Sequence, residues 1–533
     1  MAYRGHSYPI PIGIDGWSAN KNQTQIRSTQ LIQAQDITYE YGTLGKEGGA
    51  TLYTPNPISG SPTILAGVDW WPDPNTQRQI IVGSDGFVRK DSGNGSFSVT
   101  LASGQNLPGR SPEWAFGGIE TQASPRKLFL FTDTNQPLVL TGDATTMHPI
   151  ASPPADWATR TPTTGIEHLN RMWAASGHFV YYSLPSNHED FTSGSGTGQT
   201  GLLSIQPGSG EEIVDIESFK GMLLVFKRPY GIYFVDANDP TITNWSVNTV
   251  SDILGAAGPG CVCSIDNDVL FMDSGGSINL LSAVMQELPK GTFAVSSLTY
   301  AGNIDPYIRE TFNFQQLGKT QSFYYAAKRE VHFSFIQAGS GIPNARMIVD
   351  YNRPDINRFR YSYRDICPAL WLRKDITLVP RPMMGDNLGQ VWNMDQATRS
   401  KGSAGYLSQF QVGHEDFSGM YVDWPSVKRL AGKNKLFHFL ELVADPRGNW
   451  NISVDVYVDS NYKMTAQFNL GVSGKALDAF VLDSDVLAGS AVLRKRRRIT
   501  GEGRRISLVG STQGPGQDFS LDEFLVEFGV GSE

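Results

Sequence analysis

The chain has 533 residues, of which 40% are hydrophobic and 18% charged. That composition excludes a disordered chain and leaves room for two or three packed domains. Its 52 Asp and Glu outnumber 44 Lys and Arg, a net charge of -8, which works against general attraction to nucleic acid or an anionic membrane.

The opening Met-Ala-Tyr-Arg-Gly-His lacks the apolar core of a secretory signal, and no run approaches the roughly 18 apolar residues of a membrane helix. With 56 Gly, 30 Pro and little charge, the chain favours turns and strands. The best helical candidate is short, Thr29 to Gln35. Asp36 to Tyr41 and Ala50 to Tyr53 read as two strands joined by the Gly-rich stretch 42–49, placed to close a ring of blades.

From there, strand–turn–strand units follow one another. Their turns lie at Ser84-Asp85-Gly86, Asp133-Thr134-Asn135, Ser176-Gly177, Arg228 to Gly231, Ser274-Gly275-Gly276, Lys328-Arg329 and Gly385-Asp386-Asn387. With turn centres at 85, 134, 177, 229, 275, 328 and 387, the spacings are 49, 43, 52, 46, 53 and 59. Four-stranded blades repeat roughly every 40 to 50 residues. The expectation is an irregular β-propeller of six or seven blades, although paired β-sandwiches also carry regular hairpins.

Candidate chemistry along this stretch is thin. His188-Glu189-Asp190, and later His414-Glu415-Asp416, cannot converge on a metal from an extended segment, because alternate side chains diverge. Both read as solvated loops. The Gly-Ser stretches Thr192 to Gly201 and Gly208-Ser209-Gly210 lack the Lys of a phosphate cradle. Cys261 and Cys263 lack a second pair to make a metal site and read as small core residues. Asp266, Asp268 and Asp273 lack the Gly and terminal Glu of a calcium loop and read as hairpin-turn residues. No Gly-x-Ser-x-Gly elbow is present. A glycosidase carboxylate pair is set in space, and nothing in the order of residues singles out two of the acids. No catalytic residue, metal site or cofactor is assigned.

Residues 397–404 read as a linker. Beyond it, Lys435 to Ala444, Asn451 to Asp459, Met464 to Leu470, Arg505 to Gly510 and Phe519 to Phe528 read as longer alternating strands, which predicts a C-terminal β-sandwich. The all-β chain thus divides into an N-terminal arm with closing strands (1–60), a propeller (61–400) and a sandwich (401–533). Between two sandwich strands lies the one strong charge cluster: Arg494, Lys495, Arg496, Arg497 and Arg498, then Arg504 and Arg505. Such a run repels itself unless neutralised. It reads either as a contact with phosphate or an acidic subunit surface, or as the solvated face of a long loop.

Two stretches carry a family resemblance. One is Ile14-Asp15-Gly16, Asn22, Leu31, Ala34, Asp36-Ile37-Thr38 and Gly42-Thr43-Leu44-Gly45-Lys46-Glu47-Gly48-Gly49, which resembles the N-terminal segment of many bacteriophage tail proteins. The other is Leu223-Leu224-Val225-Phe226-Lys227, Gly231-Ile232-Tyr233-Phe234, Gly255 to Val262, and Asp268 to Gly276. It is similar to the central blades of the tail nozzle, or tail tubular (packaged-DNA stabilisation), proteins of short-tailed phages. The resemblance implies a structural virion protein, not an enzyme. It implies a homo-oligomeric ring, usually a hexamer, below the portal and adaptor. Tail fibre or needle proteins would be further partners, and viral DNA would pass through without being read. Assembly in the host cytoplasm and residence in the virion tail follow from the same likeness. A glycan-binding or polysaccharide-hydrolysing propeller, or another tail part such as a fibre adaptor or baseplate hub, are the rival readings.

Overall fold

The computed structural model describes residues 6–13, 15–20, 26, 29–40, 42–105, 107, 111–118, 126–132, 134–193, 199–206, 210–282, 304–351, 358–363, 365–375, 377, 379–417, 430, 432–471 and 492–530. Ile14, Asn22, Tyr41, Asp133 and Gly208-Ser209, named above, lie outside the described residues, as does 194–198 within the Gly-Ser stretch.

The chain is all-β, a propeller joined to a β-sandwich, and the described residues form seven blades. Blade one holds Ile64–Asp73, Thr76–Gly83, Val88–Lys90 and Val99–Ala102; blade two Glu113–Gly117, Lys127–Phe131, Leu138–Thr141 and His148–Pro149; blade three Thr164–His168, Arg171–Ser176, Phe179–Tyr182 and Gly201–Ser204. Blade four holds Glu212–Phe219, Met222–Arg228, Ile232–Asp236 and Ser246–Ser251. Blade five holds Val262–Ile265, Asp268–Met272 and Ile278–Leu280; blade six Ser322–Tyr325, Glu330–Phe335, Ala345–Asp350 and Arg358–Ser362. Blade seven joins Ala369–Lys374, Pro380–Gly385 and Val391–Gln396 to Gly49–Leu52 from the N-terminal end, with Trp392 opposite Leu52. From blade two round to blade seven, the first strand of each blade touches that of the next, and blade seven's touches blade one's. Trp70 and Phe116 stack across the junction of blades one and two.

Why these residues make blades follows from their two-faced burial. A blade is covered on both sides, so its middle strands read as continuous apolar runs and not as alternating ones. In Lys127–Phe131, Leu128 and Leu130 pack with blade one, while Phe129 and Phe131 pack with blade three. In Met222–Arg228, Leu223 and Val225 face blade three, while Leu224 and Phe226 face blade five. Fully burying each such side chain stabilises by roughly 1.5–3 kcal/mol. Six of the seven sequence-read turns join the second and third strands of their blades; Lys328-Arg329 instead joins the first and second strands of blade six. An α-helix, Asp305–Thr311, and a 3-10 turn, Phe314–Lys319, precede blade six and account for part of its offset.

Close approach at the junction of blades seven and one depends on Gly67. A Cβ there would meet the Trp371 ring at 2.4 Å, and that ring is buried, with its Nε1 donating to Gln79 Oε1 at 2.9 Å. Gly67→Ala is expected to lower stability by about 1–3 kcal/mol, measured by urea unfolding, because the ring has nowhere to move.

The sandwich is built from both ends of the chain. One sheet runs Ile37–Glu40, Thr43–Lys46, Ser520–Val530, Lys435–Ala444, Leu493–Gly503, with His6–Ile10 added along Ser520–Val530. The other runs Leu31–Gln35, Ser408–Val412, Ile506–Thr512, Asn451–Val458, Asn461–Asn469, and continues without a break into blade six through Arg358–Ser362. Three expectations are corrected here. Thr29 to Gln35 contains a strand, not a helix. A register shift between Leu31 and Gln33 puts buried Leu31 and Ala34 three residues apart, which imitates helical spacing. Of the two expected closing strands, only the second closes the propeller; Ile37–Glu40 belongs to the sandwich. The basic run is not loop but strand, Leu493–Gly503.

Buried charge joins the two modules. Arg346, fully buried in blade six, places Nη2 3.1 Å from Glu47 Oε1 and 3.0 Å from Asp365 Oδ2. Its Nη1 donates to His332 Nδ1 at 3.1 Å, and His332 Nε2 donates to Glu330 Oε2 at 3.2 Å. Arg360 Nη2 meets Glu330 at 2.8 Å, and Arg358 Nη2 meets Asp350 at 2.7 Å. Burial alone would raise the Glu330 carboxyl, but the Arg360 guanidinium holds it well below the usual carboxylate range.

Candidate functional site

Two charged features stand apart from the packing. The first is the basic strand. Leu493–Gly503 lies at the end of its sheet, hydrogen-bonded to Lys435–Ala444. Period-two alternation divides it. Ile499 and Gly503 turn inward, whereas Arg494, Arg496, Arg498, Thr500 and Glu502 form an exposed outer row. Arg496 pairs with Glu527 and lies over the Phe439 ring at 3.9 Å. Arg494 sits 3.9 Å from Glu441. Arg497 Nε donates to the Gln467 carbonyl at 2.9 Å. Lys495, Arg498, Arg504 and Arg505 form no ion pair among the described residues. The backbone N–H groups of Arg504 and Arg505 donate to Asp459, which fixes the turn after the strand. All seven sequence-read basic residues therefore gather at one end of one sheet.

The second feature could not be read in the sequence: a group of carboxyls at the centre of the propeller. Glu113 lies on the inner strand of blade two; Asp215 and Glu217 lie on that of blade four, where a bulge between Ile213 and Asp215 shifts the register. None of the three forms an ion pair among the described residues. Burial pushes Glu113 up to about 8, with the Glu217 charge adding to it. Burial also raises Asp215, reinforced by Glu113 and Glu217, and pushes Glu217 up to about 7. Ser264 donates to Glu217 Oε1 at 2.8 Å. Glu113 Oε2 and Trp114 Nε1 are sealed from solvent without a hydrogen-bond partner. They border a channel cavity of about 360 Å³, lined also by Asp69, Phe116, Gln321 and Trp371.

The remaining candidates are structural. Cys261 and Cys263 are buried in the core beside blade six, and burial pushes the Cys261 thiol up to about 12. Asp273 Oδ1 accepts from the Gly275 and Ser277 N–H groups, and Asp268 Oδ1 from Val269 and Ser282, which is turn chemistry. His188 and Glu189 are not solvated as expected. Both are buried, with Glu189 2.6 Å from Lys127 and His188 3.4 Å from Glu167, because the segment folds back against blade two. His414 to Asp416 is half-buried, and the Glu415 backbone bridges to Ile506. No group of His, Cys, Asp and Glu among the described residues is arranged to hold a metal.

No protein-family model and no curated protein matches the chain. Solved structures resemble it in shape. YCF48 from Cyanidioschyzon merolae is 12% identical, covering 65% of this chain and 98% of its own, with a TM-score of 0.39. The Pan2 WD40 domain of Neurospora crassa is 8% identical, covering 66% and 96%, with a TM-score of 0.36. BBS1N, solved in complex with ARL6DN, is 8% identical, covering 66% and 97%, with a TM-score of 0.40.

Proposed function

We propose that the chain is a structural subunit of a short-tailed phage's tail nozzle, working as one member of a homo-oligomeric ring below the portal and adaptor. The observation that supports it most is mechanical. Propeller and sandwich share one nine-stranded sheet and a buried ion network, so the subunit is a single stiff block. The resembling stretches fall on that block. Glu47 of the N-terminal segment grips Arg346, and Leu223 to Phe234 and Asp268 to Gly276 form the hairpins of blades four and five. DNA would pass through the middle of the ring of subunits. The cavity of about 360 Å³ bordered by Glu113 and Trp114 is far too small for a duplex. An acidic wall around the larger passage would let phosphate slide without gripping it.

The test is mass and shape: light scattering and negative-stain imaging of the purified protein, alone and with tail-less phage heads. Rings, or capture on heads, are the expected result; a strict monomer indifferent to heads would sink the reading. The carboxyl group at the propeller centre favours a second reading, hydrolysis of a polysaccharide, since Glu113 borders Trp-lined space and interacts with the carboxyl of Asp215. Turnover of a glycan panel that disappears in Glu113→Gln would establish it instead.

A further inference from the structure

We propose that the outer row Arg494, Arg496 and Arg498 docks on the acidic rim of blade four of a second copy of this chain, in a head-to-tail contact. The inference rests on the ring reading above and names the two surfaces that would make the ring.

Charge is segregated along the chain. Residues 494–505 hold seven Lys and Arg against one acid, Glu502. Residues 205–280, which build blades four and five, hold ten Asp and Glu against three Lys and Arg, a net of -7 in a chain of -8. Part of that acid lies on the rim. The outermost strand of blade four, Ser246–Ser251, pairs among the described residues on one edge only, with Ile232–Asp236, and exposes Ser246 to Thr249. Asp236, opposite Ser246, and Asp239 lie by one end of it; exposed Asp252 follows the other end.

The dimensions agree. Alternate side chains on a strand repeat every ~6.6 Å, so Arg494 to Arg498 span ~13 Å, against ~17 Å along Ser246–Ser251. The basic strand belongs to the sandwich fused to blade six, and no ion pair joins the two patches within the chain among the described residues. Two different patches meeting across copies make a heterologous contact, which closes into a ring when the rotation permits. A protein partner suits this row better than a phosphate track does. Glu441 and Glu527 already hold Arg494 and Arg496, and the chain's net charge of -8 works against a continuous phosphate polymer, whereas the rim of another copy offers a few discrete carboxylates.

The experiment uses two charge-reversed chains, Arg494→Glu/Arg498→Glu and Asp236→Lys/Asp252→Lys. Self-association is read by light scattering across protein and salt concentration, with melting temperatures as a check on folding. Each reversal alone is expected to need at least tenfold more protein to assemble. A one-to-one mixture should assemble as the natural chain does, because each altered patch then meets its opposite. Rings of the natural chain that neither reversal weakens would overturn the docking surface and leave the ring reading standing. A natural chain that stays monomeric at every concentration and salt would remove both. Loss of binding to a duplex DNA fragment in the Arg variant, with assembly unchanged, would overturn the proposal in favour of a phosphate site.

Discussion

Replacing Arg346 by leucine is expected to lower the stability of the protein by about 3–5 kcal/mol, more than any surface change would. The guanidinium is fully buried and faces Glu47 and Asp365 at 3.1 and 3.0 Å, Ser362 Oγ at 3.3 Å and the His332 ring at 3.1 Å. Its removal takes the Arg346 cation away from two buried carboxylates, of which Asp365 keeps Lys401 at 3.4 Å. The three side chains come from the N-terminal segment, blade six and the start of blade seven, so the loss falls on the joint between modules. Denaturant unfolding should then show the sandwich and propeller separating into two transitions. Adding Glu47→Gln and Asp365→Asn to Arg346→Leu should recover much of the loss, since the penalty comes from unpaired charge and not from missing attraction. A cost below about 1 kcal/mol for Arg346→Leu would mean the network contributes little.

Stability is also expected to fall by several kcal/mol between pH 5 and pH 9, through the carboxyls at the propeller centre. In the unfolded chain these groups release their protons near pH 4. In the folded chain Glu113 holds its proton up to about 8 and Glu217 up to about 7, with Asp215 also raised. The folded state therefore binds more protons across this interval. Its advantage is complete below pH ~4 and is lost as pH climbs through 7 to 8. His332 has the opposite sign. Burial depresses it, so its contribution is present above pH ~6.5 and declines in acid. Glu113→Gln combined with Asp215→Asn should flatten the alkaline limb of the melting temperature while leaving the acid limb in place. An unchanged alkaline limb would show that the cluster is hydrated and ionised in the folded protein.

Much of the architecture was legible in the order of residues. Tight turns such as Ser84-Asp85-Gly86 and Ser274-Gly275-Gly276 fall where a hairpin needs them, and Asp273 accepts the turn N–H groups. Apolar runs such as Leu128 to Phe131 mark strands covered on both faces. Leu493–Gly503 was missed as a strand because only Leu493 and Ile499 supply bulky apolar side chains, and the long Arg and Lys stems hide the alternation. The carboxyl cluster was missed because Glu113 and Asp215 lie on blades two and four and meet only across the closed ring.

Local patterning by itself therefore determined the strands, the turns and their near-regular spacing, since these follow from side-chain period and turn chemistry within a few residues. Tertiary structure alone decided that Gly49–Leu52 closes blade seven, that Ile37–Lys46 goes to the sandwich, and that blade six runs on into its second sheet. The reason is physical: a strand's side chains state which faces are buried, but its N–H and C=O edges are alike in every strand. Their partners are chosen by which distant edges the closed fold brings alongside, and the same closure decides which charges are neutralised and which remain on the surface.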